Sequence, residues 1–180
     1  MSFEHKAFIF DFDSFDSELR PLLENSLHSG DIEPLRCFIV SNRKLLVDPY
    51  EGDALDDDWE DMIEDKDAHQ YGDFALTKYY SPKDDQGLGV KWADLQEIIS
   101  NRGKLNISPF LGAPVGVDGE FFDPGKMGSY FQTTNEVSES LKKIEEIKSE
   151  LADNLLEGLE KYESFLGQTS LVGKGVYVTF

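Results

Sequence analysis

The stretch that most limits the folds open to this chain lies near its C-terminal end. Thr133-Thr134-Asn135-Glu136 has the form of a capping box, in which threonine and glutamate side chains each satisfy a backbone N–H at a helix start. Val137, Leu141, Ile144, Ile147, Leu151, Leu155, Leu159, Tyr162 and Leu166 then recur three or four residues apart, with charged residues on the other faces. The pattern predicts one amphipathic helix over about 134–166, stopped by Gly167. At 1.5 Å per residue it would run about 48 Å. A chain of 180 residues makes a globule nearer ~40 Å across. The helix is therefore expected to project, to bend at Gly158, or to lie along a second copy, a homodimer through Val137–Leu166.

The remaining pieces are shorter. Ala7–Phe12 (AFIFDF) reads as a strand, aromatic and β-branched. Phe15, Leu19, Leu22, Leu23 and Leu27 fall on one helical face that Gly30 ends, with Asp16 or Ser17 as cap. Arg36–Val40 and Lys44–Val47 flank Ser41-Asn42-Arg43, the pattern of a hairpin. A short helix is expected from Asp56 to Asp67, with Leu55, Trp59, Met62 and Ile63 as its apolar stripe, then a strand over Phe74–Tyr80. Val90, Trp92, Leu95, Ile98 and Ile99 outline another helix, ending before Gly103. Leu105–Gly128 alternates short apolar pieces with turns, including a hairpin through Asp118-Gly119. Gly175–Phe180 (GVYVTF) closes the sequence as a strand. Strands and helices without regular alternation indicate α+β. The expected architecture is a single domain over residues 1–180, a mostly antiparallel sheet with packed helices and a long C-terminal amphipathic helix.

Charge narrows the choice of partner. The chain carries a net −19. From Asp48 to Asp67 eleven acids (Asp48, Glu51, Asp53, Asp56, Asp57, Asp58, Glu60, Asp61, Glu64, Asp65, Asp67) face only Lys66, so this segment alone holds −10. Nucleic acid and anionic membrane surfaces both call for Lys and Arg and are disfavoured. The apolar runs are far too short to span a bilayer, and the N-terminus lacks a signal-peptide core, so the expectation is a soluble, cytoplasmic chain. Cys37, the only cysteine, sits in Cys37-Phe38-Ile39-Val40 and reads as a buried small hydrophobe.

Candidate chemistry is sparse. Asp11-Phe12-Asp13, after the apolar Phe8-Ile9-Phe10, resembles the first motif of the haloacid dehalogenase-type phosphotransferases. That resemblance implies Asp11 as nucleophile and Asp13 as general acid. It departs at Phe15, where the family has Thr or Val, and no later strand ends in an Asp pair for Mg²⁺, since Asp84-Asp85 follows Pro82-Lys83. Asp13 or Asp16 at a helix start is the plainer role. An EF-hand loop from Asp56 would place Asp58 and Glu60 at ligand positions, but Asp61 stands where glycine is needed and Trp59 and Met62 break its polarity. His69 lies between Asp67 and Asp73, a conceivable carboxylate–imidazole pair. Tyr71, Tyr79 and Tyr80 read as core and strand-face residues before a ligand cage. No catalytic residue, metal ligand set or cofactor motif emerges.

The functional expectation is a non-enzymatic acidic protein-binding module, in type like an immunity protein or inhibitor. It would dock a basic protein through Asp56, Asp57, Asp58, Trp59, Asp61, Glu64 and Asp65, the acids steering and the aromatic anchoring. The alternative is a small carboxylate-based, cation-dependent enzyme or metal-binding protein using Asp11 and Asp13 or Asp84–Asp85.

Overall fold

The computed structural model describes residues 3–100, 108–149, 151 and 153–180. Strand β1 (Lys6–Phe10) is followed by helices α1 (Phe12–Glu18), α2 (Arg20–Ser29) and α3 (Glu33–Asn42). A 3-10 turn (Trp59–Met62), α4 (Ala68–Leu76) and α5 (Trp92–Ser100) come next, then β2 (Gly116–Val117), β3 (Glu120–Phe121) and β4 (Ser129–Gln132). Helices α6 (Thr134–Lys148) and α7 (Asp153–Leu171) and strand β5 (Gly175–Thr179) complete the order. The fold is α+β, as expected, and the sheet is antiparallel in the order β1-β5-β4.

Strand periodicity explains how this small sheet organises the molecule. Successive side chains point to opposite faces. Phe8, Phe10, Phe131 and Tyr177 face one core, shared with α1 to α4. Ala7, Val176 and Val178 face another, shared with α5, α6 and α7. Both faces are covered, so the strands read as continuous apolar runs such as Phe8-Ile9-Phe10 and Val176-Tyr177-Val178. The first core is strongly aromatic: Phe131 lies parallel to Phe15 at 5.4 Å and stacks on Tyr177 at 5.0 Å. The outer edge of β1 is protected by the segment after α4, where His5 and Gly89 exchange backbone hydrogen bonds (3.1 and 3.0 Å) and Gln86 donates to the Ala7 carbonyl.

Several expectations are corrected. The predicted long helix is two helices, α6 and α7, folded back antiparallel. Lys148 at the end of α6 pairs with Glu163 (2.6 Å) and Glu160 (3.6 Å), and Ser138 lies opposite Ser170. Folding back lets both halves of the stripe, including Val137, Ile144, Leu159, Tyr162 and Leu166, bury in the second core. Of the stripe that the dimer expectation used, Leu141 and Leu151 are the partly buried members. The capping box itself is present: Thr133 N–H donates to Glu136 (2.7 Å) and Glu136 N–H donates to Thr133 Oγ1 (3.3 Å). In place of the predicted hairpin at 36–47, residues 36–45 are helical and Val47 bridges to Ala54, because Pro34 starts α3 and Leu35 and Ile39, four apart, face the core. Cys37 consequently points outward and is exposed, not buried.

The strand expected at Phe74–Tyr80 is instead the end of α4 and the turn after it. The helix expected over Asp56–Asp67 is reduced to the 3-10 turn. The first helix is broken at Leu19, since Pro21 sits in the first turn of α2 and lacks the N–H to continue α1. The Asp118-Gly119 hairpin is found, both residues at positive φ (53° and 87°), as a type I′ turn requires. The final strand and the Trp92–Ser100 helix also agree with expectation. The predicted stop at Gly103 and the start of the Leu105–Gly128 segment lie outside the described residues. Among the described residues no helix is long and apolar enough to cross a membrane.

Candidate functional site

The acidic segment is laid over the first core and tied down from beneath. Trp59 is only 4% exposed and packs edge-on to Tyr71 (6.0 Å) and against Phe74 (5.9 Å), both on α4. It pins the segment rather than offering an anchor to a partner; Met62, by contrast, is exposed. Glu60 turns inward too, accepting from Tyr71 (2.6 Å) and Arg36 (2.9 Å). These two donors hold its carboxyl below the usual range, and burial with Glu60 alongside pushes the Tyr71 phenol up to about 12. Asp57 pairs with Arg43, Asp53 with Lys83 (2.9 Å) and Asp65 with Lys126 (3.8 Å). Asp56 accepts from the Asp58 N–H within its own turn. Among the described residues Asp58, Asp61 and Glu64 have no ion-pair partner and point to solvent. Part of the −10 is therefore already compensated, and the remainder forms an exposed fringe.

The other sequence candidates are dispersed. Asp11 stands at the end of β1 and pairs with Lys174 (2.9 Å) and Ser14 (3.0 Å). Its neighbour strand β5 is antiparallel, and no alternating strand–helix order follows, so the phosphotransferase resemblance stops at the motif. His69 is paired with neither acid: its Nδ1 accepts the Asp123 N–H (3.1 Å), while Asp67 caps α4 by accepting the Gln70 N–H (2.9 Å). Asp85 holds the Ala7 and Gly87 N–H groups (3.0 and 2.8 Å) at the sheet edge. Among the described residues no three His, Cys, Asp or Glu side chains gather as a metal site would require.

The feature that sequence reasoning missed is Asp73. Helix α4 is buried at every position from Tyr71 to its end, so a carboxyl on it has nowhere polar to go. Its close seat is set by Gly72, where an added Cβ would come within 2.8 Å of both Leu23 and Phe122. Asp73 is 8% exposed and, among the described residues, has neither a hydrogen-bond nor an ion-pair partner. Burial, reinforced by the nearby Asp48 charge, pushes its carboxyl up to about 7.

Asp73 lines a cleft of about 250 Å³. The floor is two rungs of the sheet: Phe8 faces Tyr177 and Lys6 faces Thr179 across the β1–β5 ladder. Tyr80 forms a wall, packed on Phe8 (4.9 Å) and Tyr177 (5.1 Å). Pro49, Pro82 and Pro124 come from three different loops, and their fixed φ stiffens the lining. Tyr50, 70% exposed, stands at the mouth beside Pro49, in the acidic segment. The phenols of Tyr80 and Tyr177 are raised by burial and by Asp73, so both remain neutral hydroxyls. The result is one unpartnered carboxyl in an aromatic setting, opening on the most acidic part of the chain. Chemically it can hold a cation when ionised or donate a proton when neutral. Only the tyrosine cluster Tyr71–Tyr80 hinted at it, and the hint was indistinct because Tyr71 and Tyr79 point elsewhere, to Glu60 and Glu18. No known protein family, curated protein or solved structure matches this chain.

Proposed function

We propose that this protein is a non-enzymatic acidic binding module, immunity- or inhibitor-like in type, that docks a basic protein. The observation that carries the reading is the unpartnered Asp73 carboxyl in a cleft whose mouth, Pro49 and Tyr50, belongs to the acidic segment. Leaving a buried carboxyl without a partner costs stability, and such a cost is understandable where a partner from outside completes it. The exposed Asp58, Asp61 and Glu64 belong to the same acidic segment as Pro49 and Tyr50 and would steer a positive surface toward it, raising the association rate at low salt. The test is affinity capture with the full chain at low and high ionic strength. Retained proteins should be basic and released by salt, and Asp58→Asn, Asp61→Asn, Glu64→Gln together should slow association about tenfold. Retained proteins that are not basic, or that salt does not release, overturn the reading.

The second reading, a small carboxylate-based enzyme, draws on the same residue. A carboxyl at about 7 is poised to act as a general acid. Calorimetric titration with Ca²⁺, Mg²⁺ and Mn²⁺ separates its cation-dependent form: tighter than millimolar binding that also raises the melting temperature favours it.

A further inference from the structure

We infer that the Asp73 cleft is a receptor for a single alkylammonium group, the ε-ammonium and methylene stem of one lysine presented by the partner; this rests on the docking reading above. Three observations converge. First, the carboxyl is nine-tenths buried and, among the described residues, has no hydrogen-bond or ion-pair partner, so the cleft presents an unpaired acidic acceptor. Second, its surroundings are rings and prolines: Phe8, Tyr80 and Tyr177 beside Pro49 and Pro82. Such a lining accepts a methylene stem, and aromatic rings near a carboxylate favour a cation electrostatically. Third, about 250 Å³ is less than the ~300–1,000 Å³ of drug-sized ligand sites and matches one side chain.

The occupant is taken as an ammonium because its compact charge on a flexible methylene stem needs only one Asp73 oxygen and suits a narrow lining of rings and prolines, whereas a guanidinium would have to lay its planar fork across both oxygens. The charges around Asp73 are accounted for. Asp48 adds negative potential, Asp85 also lines the cleft but is engaged by two backbone N–H groups, and the phenols are neutral. Lys6 is the one base in the lining, exposed at the first rung of β1 and without an ion pair among the described residues. It would compete with an incoming cation, so removing its charge should strengthen binding.

The test uses the intact chain and Nα-acetyl-lysine methylamide, with its Nε-acetylated form as the neutral control, followed by calorimetry and by aromatic NMR signals. Binding should be at least tenfold weaker for the acetylated control and lost in Asp73→Asn. It should also tighten about tenfold from pH 6 to pH 8, as a carboxyl titrating near 7 ionises. Lys6→Gln should tighten it several-fold. Tyr50→Ala, at an exposed position that folding does not need, should weaken it, which keeps the test valid whatever happens to Asp73→Asn. Equal binding of the acetylated control, or binding indifferent to both Asp73→Asn and Tyr50→Ala, overturns the inference. If the lysine analogue fails to bind while salt-sensitive capture of a basic protein persists, the anchor is wrong and the docking reading stands. If the analogue binds but no basic protein is captured, the ammonium site stands and the docking reading falls.

Discussion

A carboxyl held neutral inside a protein leaves a mark on stability that can be read without knowing any ligand. Asp73 keeps its proton to about pH 7 in the folded state, whereas an ordinary aspartate loses it near 3.8. Between those values the folded chain binds more protons than the unfolded one, so stability falls as pH rises from about 4 to about 7. Three pH units correspond to roughly 4 kcal/mol at most. Asp73→Asn should therefore be about 2–4 kcal/mol more stable than the wild type in urea at pH 8 and equal to it near pH 4. No gain at pH 8 would mean that the charge is carried there without cost. His5 acts in the opposite sense. Its Nε2–H reaches the Phe110 carbonyl (2.6 Å) and its Nδ1 accepts the Leu88 N–H (3.2 Å), the arrangement of a neutral ring, and burial lowers its pKa. That contribution is present above about 6.5 and is lost as pH drops below it. Neither residue announces itself in the sequence. Asp73 sits among many acids and His5 lies near the start of the chain; only burial by distant elements gives them their chemistry.

At the scale of elements, what was legible depended on whether local signals agreed with tertiary packing. The capping box before α6, the Asp-Gly turn and the apolar runs of β1 and β5 are local, and each appears where it was read. Helix α4 was missed although Asp67-Ala68-His69-Gln70 carries the Asp and Gln spacing of a helix start, because the aromatic run that follows resembles a strand. The split between α6 and α7 has no comparably strong sign. Ser149 ends α6, and the apolar spacing continues across the break. What divides the helix is the gain from burying both halves on the same sheet face. The acidic segment depends on one such contact. Trp59→Ala should cost ~3–5 kcal/mol through the lost ring and the void beneath. Limited proteolysis should then cut between residues 50 and 66, where the wild type resists. A variant equally resistant would show that the ion pairs to Arg36, Arg43 and Lys83 suffice to hold the segment.

For the molecule as a whole, the sheet is the shared wall of two cores, one strongly aromatic and carrying the candidate site, the other more aliphatic and built mainly by α5, α6 and α7. Because the α6–α7 stripe is spent inside the second core, sedimentation should give the 20.4 kDa of one chain at low salt and high salt alike. Leu155→Asp should unfold the protein rather than dissociate a dimer; a wild-type mass near twice that value would restore the dimer. The strand order has a consequence for how the chain is made. Strand β5, residues 175–179, lies between β1 and β4 and supplies the middle of both walls. A growing polypeptide whose residues 175–179 are still in the ribosome would thus hold β1 and the helices α1 to α7 without the piece that joins them. Completion of this sheet must wait for β5 to emerge from the exit tunnel, and until then the aromatic faces of β1 and β4 lack their central partner, the kind of exposed apolar surface on which chaperones act.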